Sequence, residues 1–203
     1  MTKVITIYDD ELYLRQISKE VDLSDEKLKK DILILEEYCR QNDVMAMAAI
    51  QLGIPKRLVY LKNTDLERIR RSQYNIQTEE DQNYNEAKIL INPIIRRCKG
   101  LTEYWEACAS CLDNTGLVER PYEIEIEYYD LEGNKNVELI KGFKSTVLSH
   151  ELDHLDGILH MDIAKEIKVL KLEDRKKLRQ EQDYKVISKD CEYTKPKIKK
   201  LKK

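Results

Sequence analysis

Three histidines occur in 203 residues, and two of them stand four apart in His150-Glu151-Leu152-Asp153-His154. On a helix that spacing puts both side chains on one face, about 5–6 Å apart at Cβ, so two imidazole nitrogens can address one ion. Glu151 lies about 100° round the helix from His150, near enough to a water beside that ion to move its proton without being a ligand. The pattern thus couples two metal ligands to an acid–base carboxylate. A catalytic ion takes a third protein ligand and keeps a position open. His160 is poorly placed for that role by helix geometry, because Gly157 stands between it and His154. Cys108 and Cys111, in Glu106-Ala107-Cys108-Ala109-Ser110-Cys111, suit it better, since a thiolate is a strong ligand for iron or zinc. Their spacing does not decide between them.

These groups come from distant segments, so one fold must gather them. The length fits one domain with a sizeable core. Lys plus Arg (36) nearly balance Asp plus Glu (38), a net charge of −2, so no global field draws the chain to DNA or to a membrane. Acids in Met1–Gln16 occupy the place where a secretory signal needs its apolar core, and no apolar run approaches the roughly 20 residues of a membrane span. A cytoplasmic location is expected. Five cysteines (39, 98, 108, 111 and 191) in such a chain argue for free thiols or metal ligation over disulfides.

Ser24 or Asp25 is placed to cap a helix over about 25–41, where Leu28, Ile32, Leu35 and Cys39 recur at helical spacing. Arg57–Lys62 and Lys88–Pro93 are short apolar runs that end in turn or breaker residues, as strands do. The polar stretch 63–86 between them is long for a simple connection and reads as an excursion. Tyr122–Asp130 alternates glutamate with apolar residues, and Asn136–Ile140 follows after the turn residues Gly133-Asn134, which predicts a hairpin with one wet face. Helical spacing returns over about 144–157, where Gly157 can end the helix. Residues 163–183 carry a stripe of Ile167, Leu170 and Leu178 among charges and read as a second, more exposed helix. The end of the chain, 195–203, has six lysines in nine residues and reads as a disordered basic tail. The expected fold class is α+β: a central helix bearing His150 and His154, enclosed by antiparallel β-sheets, with a C-terminal helix.

Three of these segments bear a family likeness. Val44–Gln51 (VMAMAAIQ), Glu106–Ser110 (EACAS) and His150–Gly157 (HELDHLDG) occur in the order and at about the separations of three signature segments of peptide deformylases. The family's patterns run roughly Gly-x-Gly-x-Ala-Ala-x-Gln, Glu-Gly-Cys-Leu-Ser and His-Glu-x-x-His-x-x-Gly. Residues 1–175 resemble that family, and 176–203 are left as a charged helix end and the basic tail. The resemblance implies a metal-dependent hydrolase that removes the N-formyl group from the N-terminal methionine of newly made polypeptides. It puts one divalent ion on Cys108, His150 and His154, generally Fe2+ in the family with Zn2+, Ni2+ or Co2+ as substitutes, and makes Cys111 a neighbour. Glu151 matches the family's general acid and base. Gln51 matches the amide that helps hold the reacting carbonyl oxygen, and the Ala109 N–H matches the second donor to that oxygen.

Met45, Ala46, Thr146 and Val147 match the wall around a methionine side chain, while Met45, Met47, Thr146 and Val147 also fit plain core packing. Trp105 reads as core. Glu106 and Asp153 read either as solvated carboxylates or as groups that orient a histidine or pair with Arg120. The chain departs from the family pattern at Val44, Ala46, Ala107 and Ala109, none of which removes a ligand, the base or the amide donor. A methyl at 46 intrudes where glycine allows close approach, and alanine at 109 keeps the backbone donor but removes side-chain bulk. Two other readings stand beside this one: a divergent relative with altered or weak N-acyl hydrolase activity, and a ribosome- or RNA-binding module that uses the lysine tail. That tail also resembles, with the helix before it, the C-terminal extension by which some deformylases dock on ribosomes.

Overall fold

The computed structural model describes residues 2–62 and 87–198. The expectations for 63–86 and for 199–203 lie outside the described residues. Helices α1 (Ile7–Leu14) and α2 (Leu28–Gln41) lead into strands β1 (Ala46–Ala48), β2 (Leu58–Lys62), β3 (Ala87–Ala107), β4 (Asn114–Arg120), β5 (Glu123–Tyr129) and β6 (Lys135–Lys141). Helices α3 (Phe143–Leu155) and α4 (His160–Ile163), strand β7 (Glu166–Val169), helix α5 (Leu172–Glu181) and strand β8 (Lys185–Glu192) follow. The class is α+β, as expected, and the described strands form one antiparallel network in place of separate sheets.

Strand β3 is its hub, pairing with β2, β4, β5 and β8. The sequence signals its start, Lys88–Pro93, but the strand runs on to Ala107 because register shifts at 91–94 and 95–97 let it bend without ending. Pro93 has no N–H for a ladder, and Asn92 sits at φ 52°, so pairing must break there. The Asn92 side chain meets Val21 N at 2.8 Å and Val21 O at 2.9 Å, which ties the bend to the N-terminal segment. The hairpin β5–β6 forms as its alternation predicts, with Ile124, Ile126 and Tyr128 buried on the inner face.

Helix α3 is enclosed, with eleven of its thirteen residues buried, so its polar side chains must find partners inside the protein. Leu148, Leu152 and Leu155 pack with Ile50, Val59, Leu90, Ile124 and Ile126 on one side. Beyond α3 the chain turns at Gly157, φ 70°, where a Cβ would lie 2.3 Å from Arg15 O. Glycine is demanded there both by the left-handed backbone and by that contact.

The structure corrects several sequence expectations. The first predicted helix starts at Leu28, because Asp25 Oδ1 accepts from Lys27 N at 2.9 Å and shapes a turn before the helix without capping it. Helix α1 was missed, although Thr6 and Asp9 form a capping box. The single helix expected over 163–183 is in fact β7 followed by α5. Ile167 sits in β7 opposite Gly116 of β4, 46% exposed, and its backbone pairing outweighs the helical spacing of the apolar residues. Helix α5 spans residue 175, and residues 185–192, for which the sequence indicates no element, add β8 to the sheet along β3. The basic stretch is anchored at its start, since Lys195 Nζ lies 2.6 Å from Asp153 Oδ1.

Candidate metal centre

Two ends of the fold meet at α3. Strand β3 delivers Glu106 and, just past its last residue, Cys108, which opens a 3-10 turn over Ala109–Cys111. Strand β1 runs into a second 3-10 turn, Ala49–Leu52, that carries Gln51. One ligand atom from each of Cys108, His150 and His154 can be chosen so that all three lie within 4.8 Å of one another, and all three residues are buried. Cys108 Sγ stands 3.2 Å from His154 Nε2. A soft thiolate and two imidazoles converging at that separation fit a single divalent ion. Cys111 is fully buried beside Cys108 in an apolar cluster and does not belong to the donor group.

The carboxylate of Glu106 sets the orientation of His150. Its Oε2 is 2.8 Å from His150 Nδ1, which leaves Nε2 to face the thiolate side. Arg120 holds both Glu106 oxygens, at 2.8 Å and 3.0 Å, and also donates to Asp153. Glu106 and Asp153 are 4% and 3% exposed, so the reading as solvated groups is excluded and the pairing with Arg120 stands. Burial opposes charge on Glu106, but Arg120 and His150 override it and hold the carboxyl well below the usual range. Burial likewise opposes a proton on His150, and its hydrogen bonds to Cys108 and Glu106 override that, raising its proton affinity well above that of an ordinary histidine.

Glu151 is the contrasting carboxyl. Burial pushes it up to about 7, with Cys108 and Glu106 adding to the shift and His150 and the Ala48 N–H opposing it. Ala48 N donates to Glu151 Oε2 at 2.8 Å and reaches Gln51 Oε1 at 3.2 Å, so one backbone group aligns the carboxyl and the amide. Gln51 Nε2 donates to Cys108 Sγ at 3.3 Å and to Ser110 Oγ at 3.1 Å. Ala109 lies at the exposed start of its turn, where the first N–H groups have no partner within the turn.

Gln51, Glu106, Cys108, Ala109, His150 and Glu151 line a cleft of about 590 Å³ that also takes in Val44, Met45, Ala46, Thr146 and Val147. Thr146 is more than a wall residue, because its Oγ1 lies 3.2 Å from Thr102 Oγ1. Trp105 is core, 1% exposed, with Nε1 bonded to Gln182 Oε1 at 2.7 Å. The sequence reading did not foresee Tyr38, Tyr104, Phe143, Leu172, Arg175 and Arg179 in the cleft. Their positions follow from how α2, β3, α3 and α5 pack, and no local spacing announces them. His160 is not among the donors. Its ring is 5.6 Å from that of His150, packed against Gly116, and neither ring nitrogen has a hydrogen-bond partner among the described residues.

Fold and site together define a hydrolase-type centre: a buried helix with two imidazoles, a thiolate from a strand end, and a carboxyl poised near neutrality beside them. The family described as polypeptide deformylase matches residues 2–170, and the chain belongs to that family. A peptide deformylase of Pelagibacter ubique is 34% identical over 158 residues, 76% of this chain and 82% of the relative. The crystal structure of a probable peptide deformylase from Synechococcus phage S-SSM7 superposes with a TM-score of 0.66 at 29% identity, covering 80% of this chain and 99% of that one. A Plasmodium falciparum peptide deformylase gives 0.61 at 30% identity, over 88% of this chain and 91% of the other.

Proposed function

We propose that this protein is a metal-dependent hydrolase that removes the formyl group from the N-terminal methionine of newly made polypeptides. The observation that carries this reading is the convergence of Cys108, His150 and the fully buried His154 at a cleft that the raised Glu151 carboxyl and the Gln51 amide also line. Cys108, His150 and His154 would hold one divalent ion, with Fe2+ favoured by family resemblance and Zn2+, Ni2+ or Co2+ as substitutes. Bound there, the ion would act as a Lewis acid and make water acidic near neutral pH.

The chain's own groups do the rest. Glu151 Oε2 is held by the Ala48 N–H, which leaves Oε1 to take a proton from the attacking water and hand it to the departing amine. Gln51 turns an N–H from Cys108 Sγ to the formyl oxygen, and the Ala109 N–H gives a second bond. Each such donor is worth about 3 kcal/mol of transition-state stabilisation. Met45, Ala46, Thr146 and Val147 receive the methionine side chain. A cytoplasmic setting suits the thiol ligand, which is free in this fold, and no described helix is long and apolar enough to cross a membrane.

The test is metal content after anaerobic purification, measured with deformylation of formyl-Met-Ala-Ser in the same sample. Stoichiometric metal with turnover is expected. A metal-replete protein inert toward every formyl peptide would remove this reading.

A further inference from the structure

The family match ends at residue 170, yet α5 contributes Leu172, Arg175 and Arg179 to the wall of the cleft that holds Cys108, His150 and Glu151. Arg175 and Arg179 are four apart and share a helix face. Arg175 Nη1 donates to Leu112 O at 3.2 Å, and Arg179 Nε donates to Trp105 O at 3.0 Å, with its guanidinium 5.1 Å from the Tyr104 ring centroid. Trp105 precedes Cys108 in the chain and Leu112 follows it. The two guanidinium groups are therefore tethered to both flanks of the thiolate-bearing segment.

Neither arginine has a carboxylate partner among the described residues. Of the other acids lining this wall, Asp113 pairs with Lys171 and Glu106 with Arg120, while Glu151 accepts from the Ala48 N–H; Glu173, beside them on α5, pairs with Lys176. Burial and the neighbouring Arg179 both oppose charge on Arg175 and lower its pKa, with Asp113 offsetting only part. A guanidinium nonetheless stays charged at any physiological pH and carries N–H donors in a planar fork that matches a carboxylate. Two neighbouring cations at a half-buried wall, each with one backbone bond and no carboxylate pair among the described residues, are favoured when an anion joins them.

We propose that Arg175 and Arg179 form a carboxylate-binding subsite for the part of the peptide that follows the formyl-methionine. The inference rests on the deformylase reading and specifies its substrate: formyl peptides with a carboxylate close behind the methionine are preferred. That carboxylate is either an acidic side chain at the second or third position or the free C-terminus of a short peptide.

The experiment compares kcat/KM for four peptides with Co2+-loaded protein: formyl-Met-Ala-Ser, its C-terminal amide, and the amides of formyl-Met-Asp-Ser and formyl-Met-Ala-Asp. The proteins are wild type, Arg175→Gln, Arg175→Lys and Arg179→Lys. In the wild type a carboxylate raises kcat/KM about three- to tenfold over the neutral amide, and about 0.5 M salt shrinks the ratio. The ratio falls to about one in Arg175→Gln and returns in part in Arg175→Lys, which a purely structural role would not produce. Preference for the free acid alone, or for the aspartyl amides, identifies which carboxylate the subsite takes. Calorimetric binding of Met-Asp-Ser-amide over Met-Ala-Ser-amide reports the same order without turnover. Equal kcat/KM for acidic and neutral peptides, or a ratio that survives in Arg175→Gln, overturns the subsite alone. No turnover of any formyl peptide overturns the deformylase reading and the subsite with it.

Discussion

Glu106 Oε2 lies 2.8 Å from His150 Nδ1, so a residue of the long strand dictates which imidazole nitrogen the helix offers to the centre. The same carboxylate is gripped by Arg120, which passes the contact to Asp153, whose other oxygen meets Lys195. An ion chain thus runs from the buried His150 to the half-exposed Lys195 of the C-terminal segment. Inside it, Glu106 and Asp153 share Arg120, and such pairing is what makes burial of these charges tolerable.

Glu106→Gln keeps the shape of that link and removes its charge. The amide oxygen can still accept from His150, but without the carboxylate's charge and with an NH2 set against the Arg120 donors the bond that fixes the tautomer weakens, and metal affinity should fall about 10–100-fold. Competition with a chelator measures it. Unchanged affinity would mean that packing alone orients His150.

Glu151→Gln leaves the three donors in place and removes the proton carrier. Metal content should stay stoichiometric while kcat falls by about 10²–10⁴-fold. Wild-type turnover in this variant would dismiss Glu151 as the acid and base.

Gly116→Ala tests the packing behind the site. A Cβ at 116 would lie 2.9 Å from Ala164 Cβ and 3.0 Å from His160 Cδ2, and neither neighbour is the flexible end of a long side chain. A loss of about 1–3 kcal/mol is expected in urea unfolding, with Cys108, His150 and His154 unchanged.

Cys39, buried in the core that packs behind the centre, gives a pH signature. Burial, helped by Glu151 and Glu36 and opposed by Lys62, pushes its thiol up from 9.0 to about 12. A raised folded pKa stabilises fully below pH 9 and is lost as pH climbs toward 12, because only the unfolded chain releases the proton early. The stability gap between wild type and Cys39→Ala should therefore narrow between pH 8 and about 10.5. A constant gap in urea unfolding across that window would show that Cys39 deprotonates as readily folded as unfolded.

Elements with their own signal were legible in the sequence. The β5–β6 hairpin announces itself by alternation, and α2 by Leu28, Ile32, Leu35 and Cys39, all buried on one face. Strands β7 and β8 were not legible, because their order comes from backbone pairing to β4 and β3 while their side chains stay largely exposed. Helical spacing at Ile167 and Leu170 misled for the same reason. Charged side chains such as Glu106 and Asp153 were ambiguous, since burial of an acid depends on a cation supplied from elsewhere, here Arg120.

By itself the amino-acid order determined the chemistry on offer: two imidazoles one helical turn apart, a carboxyl next to the first, and a thiol and an amide in recognisable segments far along the chain. Those are local facts of residue type and spacing. Residue spacing left Cys108 and Cys111 open, and tertiary structure agrees with the family resemblance in bringing Cys108 to His154 while Cys111 stays outside the donors; it also decided that burial raises the Glu151 carboxyl while Arg120 keeps Glu106 charged. It also brought Arg175 and Arg179 to the cleft. Distances between remote segments, and the solvent and counter-charges around a buried group, come into being only when the sheet closes on α3.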